Sequence, residues 1–447
     1  MIIENIETFE NFRKEIEGKE VVVLPTFSDS VQHYSQSELL MLGITNLENK
    51  NFFVLPFGHE EAKSLPRNII NELCPRKMWT INKKHLLPYF NSDIIEDATM
   101  YYYLQNNTTP SWQLETPAHI YFRRKFNNMI NINKIIPLMK HIEIDQFNTD
   151  KIIEIVGNFL DFEEYKKYSK YGGIVYSIER IGIKVDPTIL QKYYGEEVSR
   201  FINRENKVYS DYNFYTSTGR PSNSFGNINF AAVNKKDGSR SAFIPQNDQF
   251  FMIDFDSFHL HLISRIIKFK FAEKNLHSYL GKYYFGKETL DDWEYEEAKK
   301  LNFKYLYGGI PRDIREAIPF FAEVNKYVYE MWKEVNKVGY YESPLTKRKI
   351  FLDKIGSPNA TKVFNYFLQL IETEANFAMI ERIIEVLKPY KTKLLLYTYD
   401  SFLFDHSIED GEDAIAKIND IIKVFPFKVF KGKNYGDMKI LNNIFEL

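Results

Sequence analysis

The 447-residue chain has a single cysteine, Cys74. It can therefore form no intramolecular disulfide and no structural zinc centre built from several cysteines. An inert, half-buried thiol is the expectation for that residue. No apolar run approaches the roughly 20 residues that cross a bilayer, and residues 1–18 are charged throughout, unlike a secretory leader. These absences point to a reducing, cytoplasmic setting and no membrane partner. An excess of charge is also lacking, with 58 Lys and Arg against 60 Asp and Glu and a net charge of -2. A uniformly basic surface is thereby excluded, and any nucleic-acid contact has to rest on local grouping of cations. Internal repeats and low-complexity linkers are missing as well.

What remains is 44% apolar and 16% aromatic, enough for a sizeable core, and the length suggests about two or three domains. Residues 1–150 read as a mixed α/β unit, with apolar strands at Val21–Leu24, Leu39–Leu42 and Phe52–Leu55 and a helical pattern from Ile94 to Leu104. From about 151 to 215 the pattern is helical and charged. A Gly/Ser/Asn-rich stretch follows, then a strand ending at Ile253 and Asp254. Helices dominate from 257 to 340, a long helix covers 360–387, and a strand pair occupies 394–405.

Four segments could carry chemistry. An apolar strand ending in Asp254 holds a carboxylate at a sheet edge, although such an aspartate is more often a helix cap. The strands flanking Tyr399, Asp400 and Ser401 imply a tight hairpin with Asp400 at its tip, where a turn-forming aspartate is the ordinary reading. Taken together, two carboxylates from separate strands can hold two Mg²⁺ ions about 4 Å apart for phosphoryl or nucleotidyl transfer. Lys299, Phe303 and Tyr307 share one helical face at i, i+4, i+8, suited to a phosphate and a base, or simply to burial of two aromatics. The loop from Tyr215 through Arg220 to Asn227, and the run around Arg240, offer donors to phosphates and minor-groove acceptors, or are solvated loops.

The order and content of these segments resemble the family-A DNA polymerases from about residue 172 to the end. Residues 218–220 (TGR), with Asn227 seven residues after Arg220, are similar to the family's T-G-R segment. Residues 253–262 (IDFDSFHLHL) resemble motif A, 276–278 (LHS) the D-x-H-T segment and 298–308 (AKKLNFKYLYG) motif B. Residues 365–369 (NYFLQ) resemble the N-x-x-x-Q helix, 399–401 (YDS) motif C and 427–436 (FKVFKGKNYG) the closing strand. The resemblance implies an α+β right-hand polymerase fold with an antiparallel palm and helical fingers and thumb. An α/β exonuclease-like (ribonuclease H-like) domain would precede it. The implied limits are 1–150 for that first domain and 151–447 for the polymerase, with a thumb at about 172–213. The palm would take about 214–265 and 350–447, and the fingers about 266–349.

The resemblance also implies roles. Asp254, Asp400 and the Phe255 carbonyl would hold two Mg²⁺ ions, with Mn²⁺ able to substitute. Lys299 and His277 would grip the triphosphate, Lys299 also donating a proton to the leaving group. Phe303 would stack on the nucleotide, Tyr307 would close the pocket, and His259 would stand where the family places a glutamate that bars ribonucleotides. Arg220, Asn227, Arg240, Asn365 and Gln369 would contact DNA. The implied partners are primer–template DNA, dNTPs and other replisome proteins, and the implied activity is DNA-directed DNA synthesis. The compact form and Asn/Ile/Lys-rich composition suggest a bacteriophage enzyme.

Departures from the family pattern are specific. Ser401 replaces the motif C glutamate, for which Asp256 is a candidate compensating acid. Tyr295 takes the place of a triphosphate-binding arginine, a role that Lys300 or Lys304 could assume. In the first domain, residues 29–31 (DSV) lack the glutamate expected of a proofreading site, and Asp97 is its only further candidate acid, so an inactive scaffold is expected. Two alternatives stay open: a single-subunit RNA polymerase or primase, favoured by His259 and the YDS tip, and a catalytically silent primer–template-binding factor.

Overall fold

The computed structural model describes residues 1–29, 32–109, 132–157, 159, 163–273 and 275–447. Ser30 and Val31 lie outside the described residues. The chain forms two compact units: residues 1–212 with 223–229, and residues 213–222 with 230–447. The division falls at Tyr212 and Asn213 rather than near residue 150, so the segment 172–212 packs with the first unit.

In the first unit, helix α1 (Ile6–Ile16) is capped by the Asn5 side chain, which accepts from the Thr8 N–H at 2.9 Å. It buries Phe9, Phe12 and Ile16 against a five-stranded sheet. The strands are β1 (Glu20–Phe27), β2 (Leu39–Asn46), β3 (Phe52–Pro56), β4 (Lys77–Thr80) and β5 (Ile95–Asp97), in the order β3-β2-β1-β4-β5. β1, β2 and β3 pair antiparallel, while β4 and β5 add in parallel. β2 is buried at every position, as its near-continuous apolar run requires. The helical pattern expected from Ile94 begins instead with α2 (Ala98–Asn106). Ile95 to Asp97 are drawn into the sheet, and Asp97 caps the helix by accepting from the Met100 N–H at 2.9 Å. Cys74, expected to be half-buried, is exposed.

Helix α3 (Leu138–Val156) packs against this sheet, and α4 (Tyr171–Glu179) is tied to the unit by a buried ion cluster. Lys84 Nζ lies 2.9 Å from Glu179 Oε1, also pairs with Asp211, and donates to the Tyr212 carbonyl at 3.0 Å. Tyr34 Oη donates to Glu179 Oε2 at 2.6 Å, as the Tyr212 N–H does to Oε1. A buried charge set persists only when its lone pairs and protons are this fully occupied.

The second unit is built on an antiparallel sheet. Its strands are β6 (Gln249–Phe255), β7 (Lys393–Thr398), β8 (Ser401–His406), β9 (Phe427–Gly432) and β10 (Lys439–Leu441), in the order β7-β8-β6-β9-β10. β6 therefore lies in the middle, paired with β8 and β9. Phe251 stacks on Phe404 at 4.4 Å, and Phe255, Phe258, Phe402 and Phe425 form an aromatic cluster beneath its C-terminal end. Its longer helices are α5 (Phe258–Ile266), α6 (Leu276–Phe285), α7 (Asp292–Gly308), α8 (Pro319–Val338), α9 (Ala360–Val386) and α10 (Gly411–Ile422). α9 is the central one, packing against α5, α7, α8, α10 and β7.

Candidate active site

Among the β6 residues that the sheet buries, Asp254 alone is half-exposed. It is no helix cap: α5 starts after Ser257, without a side-chain capping bond. Its cross-strand neighbours are Ser401 on β8 and Lys428 on β9. The β7–β8 hairpin turns through Tyr399 and Asp400, and the Phe255 N–H donates to the Asp400 carbonyl at 2.8 Å. The two carboxylates are thus brought to one place by adjacent strands.

The turn is strained and firmly held. Tyr399 has φ +57°, a left-handed value that a glycine would adopt more cheaply. Asn376 Nδ2 donates to its carbonyl at 2.6 Å, and the Arg220 guanidinium stacks on its ring at 3.5 Å. Such strain persists only where neighbours over-determine the conformation.

Helix α7 starts at a capping box between Asp291 and Glu294 and ends at Gly309, φ +97°. Its buried residues are Glu294, Ala298, Asn302 and Leu306. Lys299, Phe303 and Tyr307 lie one position further round, where Lys299 is exposed and the two rings are half-buried. The aromatics are therefore not the helix's core stripe. They stack on each other at 5.8 Å and 3°.

These groups converge on a cavity of about 440 Å³ lined by Arg220, Asp254, Phe255, Asp256, His259, His277, Lys299, Phe303, Tyr307, Glu372, Asp400 and Lys428, among others. That volume is in the usual range for a small-ligand cleft, about 300–1,000 Å³. Burial raises the Asp254 carboxyl above its ordinary value, opposed by Lys235, Lys428 and Lys299. Burial, then the charges of Asp254 and Glu372, raise Asp400 to about 6. A buried carboxyl that a neighbouring carboxylate drives toward its protonated form marks a site a divalent cation would relieve. Among the described residues no three His, Cys, Asp or Glu side chains group as metal ligands, so the fit is to a cation held by two carboxylates, backbone oxygen and substrate phosphates.

His277 is buried, which lowers it to about 4 and keeps its ring neutral. Its Nδ1 lies 2.8 Å from Asn302 Nδ2, and Asn302 Oδ1 accepts from Tyr284 Oη at 2.6 Å. With the amide assigned this way, Nδ1 accepts and the proton is on Nε2. His259 contacts the Tyr307 hydroxyl through Nδ1, and its Nε2 lies 3.3 Å from Glu372 Oε1. Glu372 Oε2 is in turn 3.0 Å from Arg220 Nε.

Of the residues assigned to DNA, Arg220 lines the cavity, but its guanidinium is engaged by Glu372 and Tyr399. Arg240 donates to the Val233 carbonyl at 3.1 Å and stacks on Tyr435, outside the cavity lining. Asn365 donates to the Tyr307 carbonyl at 2.8 Å, fixing the end of α7, and Gln369 is half-buried one turn further along α9. Asn227 sits at a left-handed turn, φ +66°, within the first unit. Asp256 joins Asp254 along the cavity, and Ser401 Oγ is 2.6 Å from Thr398 Oγ1. Tyr295 packs edge-on to His277. Lys300 pairs with Glu297 and Lys304 lies against Tyr305, so neither takes part in the lining. Glu372 and Lys428 join the site without a distinctive sequence signal, since Glu374 stands two residues after Glu372 in the same helix and Lys431 shares the strand with Lys428.

In the first unit, Asp97 is accounted for by its capping and by a bond from the Lys83 N–H at 3.0 Å. Asp29 lines a separate cavity of about 390 Å³ with His33, His85 and Asp145.

No protein-family model matches the sequence. The chain is 24% identical over 286 residues to DNA polymerase I of Synechocystis sp., a match spanning 52% of this chain and 29% of that relative's length. Its fold matches the POL domain of Pol1 from M. smegmatis in complex with DNA primer-template and dNTP. The TM-score is 0.71 at 11% identity, covering 97% of this chain and 99% of that one. The chain therefore has the fold of a polymerase domain, with the α+β character expected from the sequence. Among the described residues no helix is long and apolar enough to cross a membrane.

Proposed function

We propose that this chain is a DNA-directed DNA polymerase that adds dNTPs to a primer 3′-hydroxyl on a DNA template. One observation carries the reading: a single cavity is lined by Asp254 and Asp400 from adjacent strands and by Lys299, Phe303 and Tyr307 from one helical face. The likeness to DNA polymerase I and to a polymerase domain bound to primer-template and dNTP supports it.

In this reading the primer 3′-oxygen forms a bond to the α-phosphorus, the bond from that phosphorus to the pyrophosphate oxygen breaks, and the 3′-hydroxyl proton passes to solvent. Asp254, Asp400 and the Phe255 carbonyl would hold two divalent cations, for which Mg²⁺ is proposed. When bound, these supply Lewis-acid activation of the 3′-oxygen and neutralise charge on the phosphates. Lys299 and the Nε2–H of His277 donate to the triphosphate, and Lys299 protonates the departing pyrophosphate. Phe303 stacks on the base or sugar, Tyr307 closes the floor, and His259 walls the sugar side. Asp256 acts as a further acid beside Asp254. Arg220 holds the Asp400 hairpin through Tyr399 and faces the primer end, while Asn365 and Gln369 face the duplex. Arg240 and Asn227 are proposed as outlying contacts to DNA. The proposed setting is the cytoplasm of a bacteriophage host, alongside other replisome proteins.

Primer extension tests this, comparing dNTPs with NTPs and wild type with Asp400→Ala in Mg²⁺. Template-directed extension with dNTPs, lost in the variant, is the expected result. Extension at least as good with NTPs would move the assignment to RNA synthesis. Tight primer–template binding with no extension would leave a silent structural factor.

A further inference from the structure

Three cations line the cavity: Arg220, Lys299 and Lys428. Arg220 is bound to Glu372 and Tyr399, which leaves two lysines entering from different elements. Lys299 comes from α7. Lys428 comes from β9, directly across the antiparallel ladder from Asp254. Alternate residues of a strand share a face, and residues opposite each other on neighbouring strands do too. Lys428 and Phe430 accordingly both line the cavity, and Phe430 stands opposite Met252. No described carboxylate forms an ion pair with Lys428 within 4 Å, whereas Lys300 on the outer side of α7 is paired with Glu297. The Lys428 charge acts on Asp254, on His277 and on Tyr295. Asp254 of β6, His277 of α6 and Lys299 of α7 line the same cavity as Lys428.

We propose that Lys428 is a phosphate-binding residue of this site, contacting the pyrophosphate portion of the incoming nucleotide from the sheet side, opposite Lys299. The assignment rests on the polymerase reading and deepens it. A lysine here supplies a compact charge with rotatable donors, which suits a polyphosphate whose oxygens move during transfer.

The test compares wild type with Lys428→Ala, Lys428→Arg and Lys300→Ala. The readouts are steady-state extension, the inhibition constant of inorganic pyrophosphate, and equilibrium titration of pyrophosphate in Mg²⁺ with the protein–primer–template complex. Loss of one charge-assisted contact predicts about a tenfold rise in the dNTP KM of Lys428→Ala, with the loss falling chiefly on KM. Pyrophosphate affinity falls by a similar factor, Lys428→Arg recovers most of it, and Lys300→Ala matches wild type. Unchanged pyrophosphate affinity in Lys428→Ala overturns the assignment. So does an altered Mg²⁺ requirement without any change in pyrophosphate binding, since Lys428 would then only offset Asp254. If wild type extends no primer, the polymerase reading fails on its own. The pyrophosphate titration, which needs no turnover, still decides the role of Lys428.

Discussion

Asp400→Asn is expected to abolish extension while making the metal-free protein more stable at pH 8. The Asp400 carboxyl is raised from 3.8 to about 6 by burial and by Asp254 and Glu372. It binds a proton more tightly in the folded protein than in the unfolded chain. Protonation therefore favours folding as pH falls through about 6, and the full cost of the ionised pair is present above that value. A rise from 3.8 to about 6 corresponds to about 3 kcal/mol. Asp400 is nonetheless exposed at the hairpin tip, and solvent screening reduces the expected effect to about 1 kcal/mol. For a unit of this size that is about 2–4 °C in Tm. In EDTA at pH 8 the variant's unfolding transition should rise by this amount, and the difference should narrow as pH falls from about 6 and vanish only below 3.8, where the unfolded chain's carboxyl is protonated too. Added Mg²⁺ should raise the wild-type transition, by about 1.4 kcal/mol at tenfold over Kd, and leave the variant almost unmoved. An Asn variant that melts at or below wild type at pH 8, or one whose advantage does not narrow as pH falls from about 6 toward about 4, would refute the account of the acid pair. Extension at the wild-type rate would refute its role in metal binding.

Other outcomes follow from named contacts. Glu372→Gln removes one of the two carboxylates that raise Asp400, so the acid limb of the extension pH profile should move to lower pH; a shift upward would contradict the arrangement. Gly219→Ala should lower the Tm of the second unit clearly, because φ is +76° there and a Cβ would run into the fully buried Arg348 guanidinium; an unchanged melting curve would count against this. Lys84→Met should destabilise the first unit by about 3–5 kcal/mol, since Glu179 would be left buried without its cation. Chemical denaturation monitored in that unit reads this directly, and a loss under about 1 kcal/mol would show that the cluster contributes little.

Local spacing carried much of the site. The apolar run ending at Asp254, the short link holding Asp400 and the eight-residue stagger from Lys299 to Tyr307 each depend on one element's own periodicity, and the structure brings all of them to one cavity. What could not be read depends on which elements become neighbours. Lys428 matters because β9 pairs with β6 rather than another strand, and Glu372 because α9 passes beside His259 and Arg220. Arg220 looked free because nothing in its loop reveals a buried carboxylate far along the chain. The start of α2 was misplaced because strand pairing by Ile95–Asp97 overrode a helical pattern that continued past its own cap.

The course of the chain between the two compact units has a consequence for recombination. Residues 213–222 belong to one unit, 223–229 return to the other, and the chain then crosses once more. No single crossover in the gene can exchange one unit intact for that of a relative. A break after residue 212 would strip the first unit of residues 223–229. One after residue 229 would strip the second of residues 213–222, which carry Arg220 and Gly219. A single crossover at any of these borders therefore yields a chimeric unit.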